Sequence, residues 1–143
     1  MKLVINKCYG GFGLSLLAQK RYLELIGKKA FFYKQTKYSF RDGADEFGRI
    51  DDIEKYTSIS SETYTEDKGD TFKPTKRNLE GYWYYGNLKR DDPILVRVVE
   101  ELGSELASGG CAHLKVVDIP DDIEYEINEY DGIESVREAH RSW

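Results

Sequence analysis

The chain has 143 residues and a mass of 16.5 kDa, enough for one domain and short for two. Hydrophobic residues make up 40%, aromatic residues 13% and charged residues 33%, which supports one modest core with some of the 11 tyrosines in it. The net charge of −5 argues against a general nucleic-acid binder, and two cysteines make no disulfide framework.

No apolar run nears the roughly 20 residues of a membrane span. Lys2 precedes only three apolar residues before Asn6 and Lys7, which is no secretory pattern. The expectation is an intracellular soluble protein with free thiols.

Residues 2–9 read as a strand, rich in β-formers and too short for a helix. Gly10-Gly11-Phe12-Gly13 stops it. Ser15 is placed to cap a helix over 16–26, where Leu17, Ala18, Tyr22, Leu25 and Ile26 recur at helical spacing. Gly27 is placed to end that helix, and Lys28 and Lys29 complement its carbonyl end. Residues 30–34 read as a second strand. This predicts a strand–glycine loop–helix–strand unit with parallel strands.

Residues 41–80 are low in aliphatics and read as an irregular, partly mobile insertion. A short hairpin is expected there, with arms at 56–60 and 62–65 and a turn at Lys68-Gly69-Asp70. Gly81-Tyr82-Trp83-Tyr84-Tyr85-Gly86 is an aromatic strand or platform. Asp92 is an N-cap and Pro93 a first helical residue, and an apolar stripe predicts a helix from 93 to about 108. Strands are expected at 114–119 and 123–128. Asp131-Gly132 is a turn, and 133–140 is expected as a short terminal helix. The expected fold is a single α/β (α+β) domain over 1–143, with a mixed sheet of about five strands and about three helices.

The charge is unevenly placed. Residues 1–41 hold nine bases and one acid, a balance of +8, so the remainder carries −13. Residues 118–134 alone hold eight acids and no base. The two halves can pair within a fold or across a subunit interface, or the basic half can face a small anion.

A glycine turn between a strand and a helix N-terminus suits an anion, because backbone N–H groups and the helix dipole face it. Gly10, Gly11, Phe12, Gly13 and Ser15 would supply donors, Lys7, Lys20 and Arg21 charge, and Tyr9 or Phe12 a stacking ring. Arg21 lies about two turns into the helix and is the weaker member. Read structurally, the same glycines only allow a tight turn. The segment carries neither a Walker loop nor a full dinucleotide fingerprint. Tyr9, Phe12, Phe31, Phe32, Tyr33, Tyr38 and Phe40 lie among the nine bases, which suits a nucleotide as well as a core.

Cys111-Ala112-His113, Cys8 and His140 do not make a zinc pattern, and no metal or cofactor is expected. Asp51-Asp52, Asp91-Asp92 and Asp121-Asp122 lack the spacing of a known ion loop. His140-Arg141-Ser142-Trp143 reads as a tail docked by its terminal Trp.

Three segments carry a resemblance. They are Val4-Ile5-Asn6-Lys7-Cys8-Tyr9-Gly10-Gly11-Phe12-Gly13-Leu14-Ser15, then Arg90-Asp91-Asp92-Pro93 with Val98-Val99-Glu100-Glu101-Leu102-Gly103, then Ile119-Pro120-Asp121-Asp122 through Glu129-Tyr130-Asp131-Gly132-Ile133-Glu134 to His140-Arg141-Ser142-Trp143. Together they resemble a family of small proteins encoded by tailed phages and prophages. The resemblance leaves out 41–80. It implies a phage accessory protein in a bacterial host cytoplasm and brings no activity. Some accessory proteins of this kind are anti-defence sponges that hold cyclic-nucleotide or ADP-ribose-type signals of host immunity.

The expected function is sequestration of such an anionic nucleotide without turnover, by a homo-oligomer. The alternatives are an enzyme that degrades the nucleotide, with His113 or His140 as base, and an acidic inhibitor of a host protein that uses 118–134.

Overall fold

The computed structural model describes residues 1–37, 46–53, 61–74 and 79–139. Tyr38, Phe40, Arg41, the 56–60 arm of the expected hairpin and the tail from His140 to Trp143 lie outside the described residues. The described elements run β1 (Lys2–Asn6), α1 (Leu16–Leu25), β2 (Phe31–Lys37), β3 (Glu46–Ile50), β4 (Ser61–Tyr64), β5 (Thr71–Phe72), β6 (Tyr82–Trp83), α2 (Pro93–Ala107), β7 (Leu114–Asp118), β8 (Tyr125–Tyr130) and β9 (Ile133–Glu138), with a 3₁₀ turn at Tyr85–Asn87. No described helix is long and apolar enough to cross a membrane.

The chain is one α+β domain. Its described strands form three antiparallel sheets: β1–β7, β5–β3–β2–β4–β6 and β8–β9. The five-strand count matches expectation, but the sheet is not mixed and the first unit is not a parallel βαβ. The reason lies at β1. One edge pairs with β7, from Lys2 opposite Asp118 to Asn6 opposite Leu114. At the other edge Val4 N–H donates to the Arg90 carbonyl at 2.9 Å and Asn6 N–H to Glu134 Oε1 at 2.8 Å. No place is left there for β2, which goes to the larger sheet.

The segment expected to be an irregular insertion supplies three strands of that sheet. Tyr33 pairs with Arg49 on β3 and with Glu62 on β4, so β2 is central.

Both main helices have locally encoded ends. The Ser15 hydroxyl accepts from Ala18 N–H at 3.0 Å. After α1, Gly27 takes φ +78, and Lys28 N–H reaches back to Leu23 O at 2.8 Å while Gly27 N–H reaches Glu24 O at 3.0 Å. This pair of bonds is the Schellman closure that a left-handed glycine permits. Asp92 Oδ1 accepts from Ile94 N–H at 2.8 Å and caps α2, with Pro93 at the first position.

The single helix expected from 93 to 108 is broken at Gly103, where φ is 82 and ψ 164. The short turn after the break pairs with the glycine loop. Ser15 N–H donates to Ala107 O and Gly109 N–H to Gly13 O, each at 2.9 Å.

The expected terminal helix is instead β9. Asp131 (φ 50) and Gly132 (φ 90) make a two-residue turn, with Tyr130 opposite Ile133 and Ile127 opposite Val136. Such a turn matches the twist of a hairpin.

Val4, Leu14, Ala18, Tyr22, Leu95, Val98, Val99 and Leu114 form the main core, where the helices cover β1–β7. Leu3 and Ile5 point to the opposite face by alternation, are also buried, and have β9 against their strand. On its far side α1 meets the five-stranded sheet, with Leu16 packed on Phe32 and Ile50. Buried Gln19 links the layers: its Oε1 accepts from the Thr63 hydroxyl and its Nε2 donates to Leu14 O at 3.1 Å.

Candidate functional site

The glycine turn sits where β1 ends and three backbone segments converge. Gly10 (φ +107) donates its N–H to Asp131 O at 3.3 Å. A Cβ on Gly10 would fall 2.7 Å from the Cβ of Cys111, and one on Gly132 would fall 2.3 Å from the nitrogen of Gly11. Glycine is therefore required at 10 and 132 for close approach of chain to chain. Gly11 (φ +96) has nothing within 4 Å of its would-be Cβ.

The candidate residues separate into two groups. Lys7, Tyr9 and Gly10 are exposed, with Tyr9 at 66%. Phe12, Gly13 and Ser15 are engaged inside the fold. The Arg90 guanidinium lies 3.6 Å from the Phe12 ring centroid, and Tyr85 lies 6.0 Å from it. Gly13 is buried and holds Gly109. The Ser15 hydroxyl caps α1 and donates to Leu106 O at 2.6 Å. Lys20 is exposed on α1. Arg21 donates to both carboxylate oxygens of Glu101 at 3.2 Å and also meets Glu24.

Beneath the turn lies a network that the sequence reading missed. Arg90 donates to Glu134 Oε1 at 2.5 Å and to Oε2 at 2.9 Å. Glu134 is 6% exposed and also takes the Asn6 N–H. The buried Asn6 amide uses both ends. Its Nδ2 donates to Cys8 O and Gly132 O, each at 2.7 Å, and its Oδ1 accepts from Cys8 N–H at 3.2 Å and His113 N–H at 2.8 Å. A buried carboxylate and a buried amide are tolerated because their bonds are met. Nothing local in the sequence relates Asn6 to Glu134, 128 positions on.

The same turn places Tyr130, 78% exposed, next to Asp131 and so next to Gly10. Its exposure has no signature in the sequence. His113, exposed, meets the Ser104 hydroxyl through Nδ1 at 3.3 Å. Among the described residues, no group of three His, Cys, Asp or Glu is placed to hold a metal ion.

The charge halves partly pair within the chain: Lys2 with Glu100 at 3.1 Å and Arg21 with Glu101. The acidic 118–134 stretch is also partly engaged. Glu134 holds Arg90, Glu126 holds Arg137, and Glu129 accepts from Gly132 N–H at 2.7 Å.

Comparison with known family models, curated proteins and solved structures finds no match to this chain.

Proposed function

We propose that this chain is a non-catalytic binding protein for an anionic, nucleotide-derived small molecule. One observation carries the reading. The Gly10 N–H to Asp131 O bond joins two turns, each preceded by a highly exposed tyrosine, Tyr9 and Tyr130, and exposed Lys7 lies two residues before Tyr9. Exposed tyrosine rings offer faces to a base, and a lysine offers charge to a phosphate. The resemblance to phage accessory proteins makes host signal nucleotides the first ligands to try.

The test is retention. Purified protein is mixed with ADP-ribose or with a cyclic dinucleotide, filtered, washed and heated, and the released molecule is analysed. Intact nucleotide is expected, with Tyr9→Ala lowering affinity about tenfold, the size of one base stack, and Lys7→Ala lowering it in a salt-dependent way as a phosphate contact is lost. Free passage of every nucleotide, or recovery of a new product, overturns the reading.

A further inference from the structure

A second aromatic surface lies on β4 and β6, linked to Phe12 of the glycine turn only through Tyr85. Glu62 and Tyr64 stand two residues apart on β4 and so share a face. Tyr64 is opposite Tyr82, and Thr63 is opposite Trp83. Tyr84 continues β6 in extended conformation, which brings it level with Glu62. The result is a block of three tyrosines around one carboxylate.

The rings are held in place before any ligand arrives. Tyr64 and Tyr82 meet edge to face at 5.6 Å. The Tyr64 hydroxyl donates to Glu62 Oε2 at 2.7 Å. Tyr84 lies 4.9 Å from Tyr85 and over Gly86, where a Cβ would come within 2.3 Å of its ring. Yet Tyr82 is 51% and Tyr84 47% exposed. Ordered rings left half in water are poor core and good contact surface.

Among the described residues here, the carboxylates Glu62, Glu66 and Glu80 outnumber the one base, Lys68. Aromatic faces are negative, and a carboxylate stands among them. Glu66 lies against Gly81, and Glu80 is exposed beside it. Burial and the Glu62 carboxylate push the Tyr82 phenol above its usual range, so the field of Glu62 reaches the exposed ring. The cluster already holds one ammonium group: Lys68 Nζ lies 5.6 Å from the Tyr64 centroid and 3.6 Å from Glu66.

We infer that the face formed by Glu62, Tyr82 and Tyr84 is a binding site for an organic cation, an alkylammonium or guanidinium group. An anion would be repelled by Glu62, and a neutral apolar group would gain nothing from a carboxylate that already takes the Tyr64 hydroxyl. The site shares no residue with the glycine turn and stands or falls separately from the nucleotide reading.

Choline and its uncharged isostere 3,3-dimethylbutanol separate charge from shape, with the tyrosine ring signals followed by NMR. Choline should bind about fivefold or more tighter than the alcohol, as a cation over tyrosine faces requires. Tyr84→Leu should weaken choline by a similar factor. So should Glu62→Gln, which keeps an oxygen for the Tyr64 hydroxyl and therefore the packing. Circular dichroism should match wild type for both. Ethylguanidinium run beside a short arginine peptide distinguishes a free cation from a protein-borne one, and tighter binding of either upholds the site. Equal binding of choline and the alcohol, silence of the ring signals with all the cations, or wild-type affinity in Glu62→Gln would overturn it.

Discussion

Arg90 and Glu134 meet through two hydrogen bonds, at 2.5 and 2.9 Å, across the open edge of β1. The pair does the work of a third strand. Arg90 takes the Val4 N–H on its carbonyl, and Glu134 takes the Asn6 N–H. A strand edge in a two-stranded sheet would otherwise be a liability, and here it is covered by the pair.

Removing one partner leaves the other charge in a largely buried place. Glu134→Ala should therefore cost roughly 3 kcal/mol or more, measured by urea unfolding. Arg90→Met with Glu134→Leu should cost clearly less than the sum of the single changes. Additive losses would show that the two residues act apart.

Gly132 and Gly11 both have positive φ, at 90 and 96, but differ in space. Gly11→Ala meets nothing and should lose about 1–2 kcal/mol to backbone strain alone. Gly132→Ala suffers the same strain and also drives a methyl into the nitrogens of Gly10 and Gly11. It should be the more damaging substitution by thermal unfolding. Equal losses would mean that the hairpin tip moves away at no cost.

The buried link between α1 and the larger sheet gives a third test. Thr63→Val leaves the Gln19 carbonyl oxygen in the core without its donor, at a cost of about 1–3 kcal/mol. Gln19→Leu placed on top of it should recover part of that loss. A double variant worse than both singles would contradict this account of the link.

Alkaline stability follows from Tyr22. Burial, then the bond from its hydroxyl to Asp92 Oδ2 at 2.7 Å, push its pKa up to about 12. The folded chain keeps a proton that the unfolded chain releases above about pH 10. Its contribution is thus complete below pH 10 and is lost as pH rises from 10 to 12. Buried Tyr64 is shifted in the same direction and adds to the slope. Urea midpoints taken from pH 8 to pH 12 should fall steeply above 10, and less steeply for Tyr22→Phe. A flat profile would contradict the assignment.

What could be read from the residues was what neighbours decide. Ser15, Gly27, Asp92 and Pro93 end their helices as expected because each acts within one turn. What could not be read was pairing across the chain. Asp131-Gly132 was legible as a turn, but the segment after it reads as helical from its Glu, Arg and Ala content. Glu134 is turned inward, a position that charge patterning assigns to solvent, and only Arg90 explains it. Gly103 passes as one weak residue in a strong apolar stripe, although it breaks the helix in two. At the candidate site Tyr9, which the sequence offered as a stacking ring or as core, is exposed, while Tyr130 was hidden in an acidic run.

The pairing of β1 also sets an order of assembly. Lys2 waits for Asp118, and Asn6 waits for Glu134. On a ribosome that adds about 5–20 residues each second, the first strand is synthesised many seconds before either partner exists. Its run of Leu3, Val4 and Ile5 stays without a sheet for that time, a stretch for chaperones to guard. A strand made long before its partners is thus among the last to be locked in place.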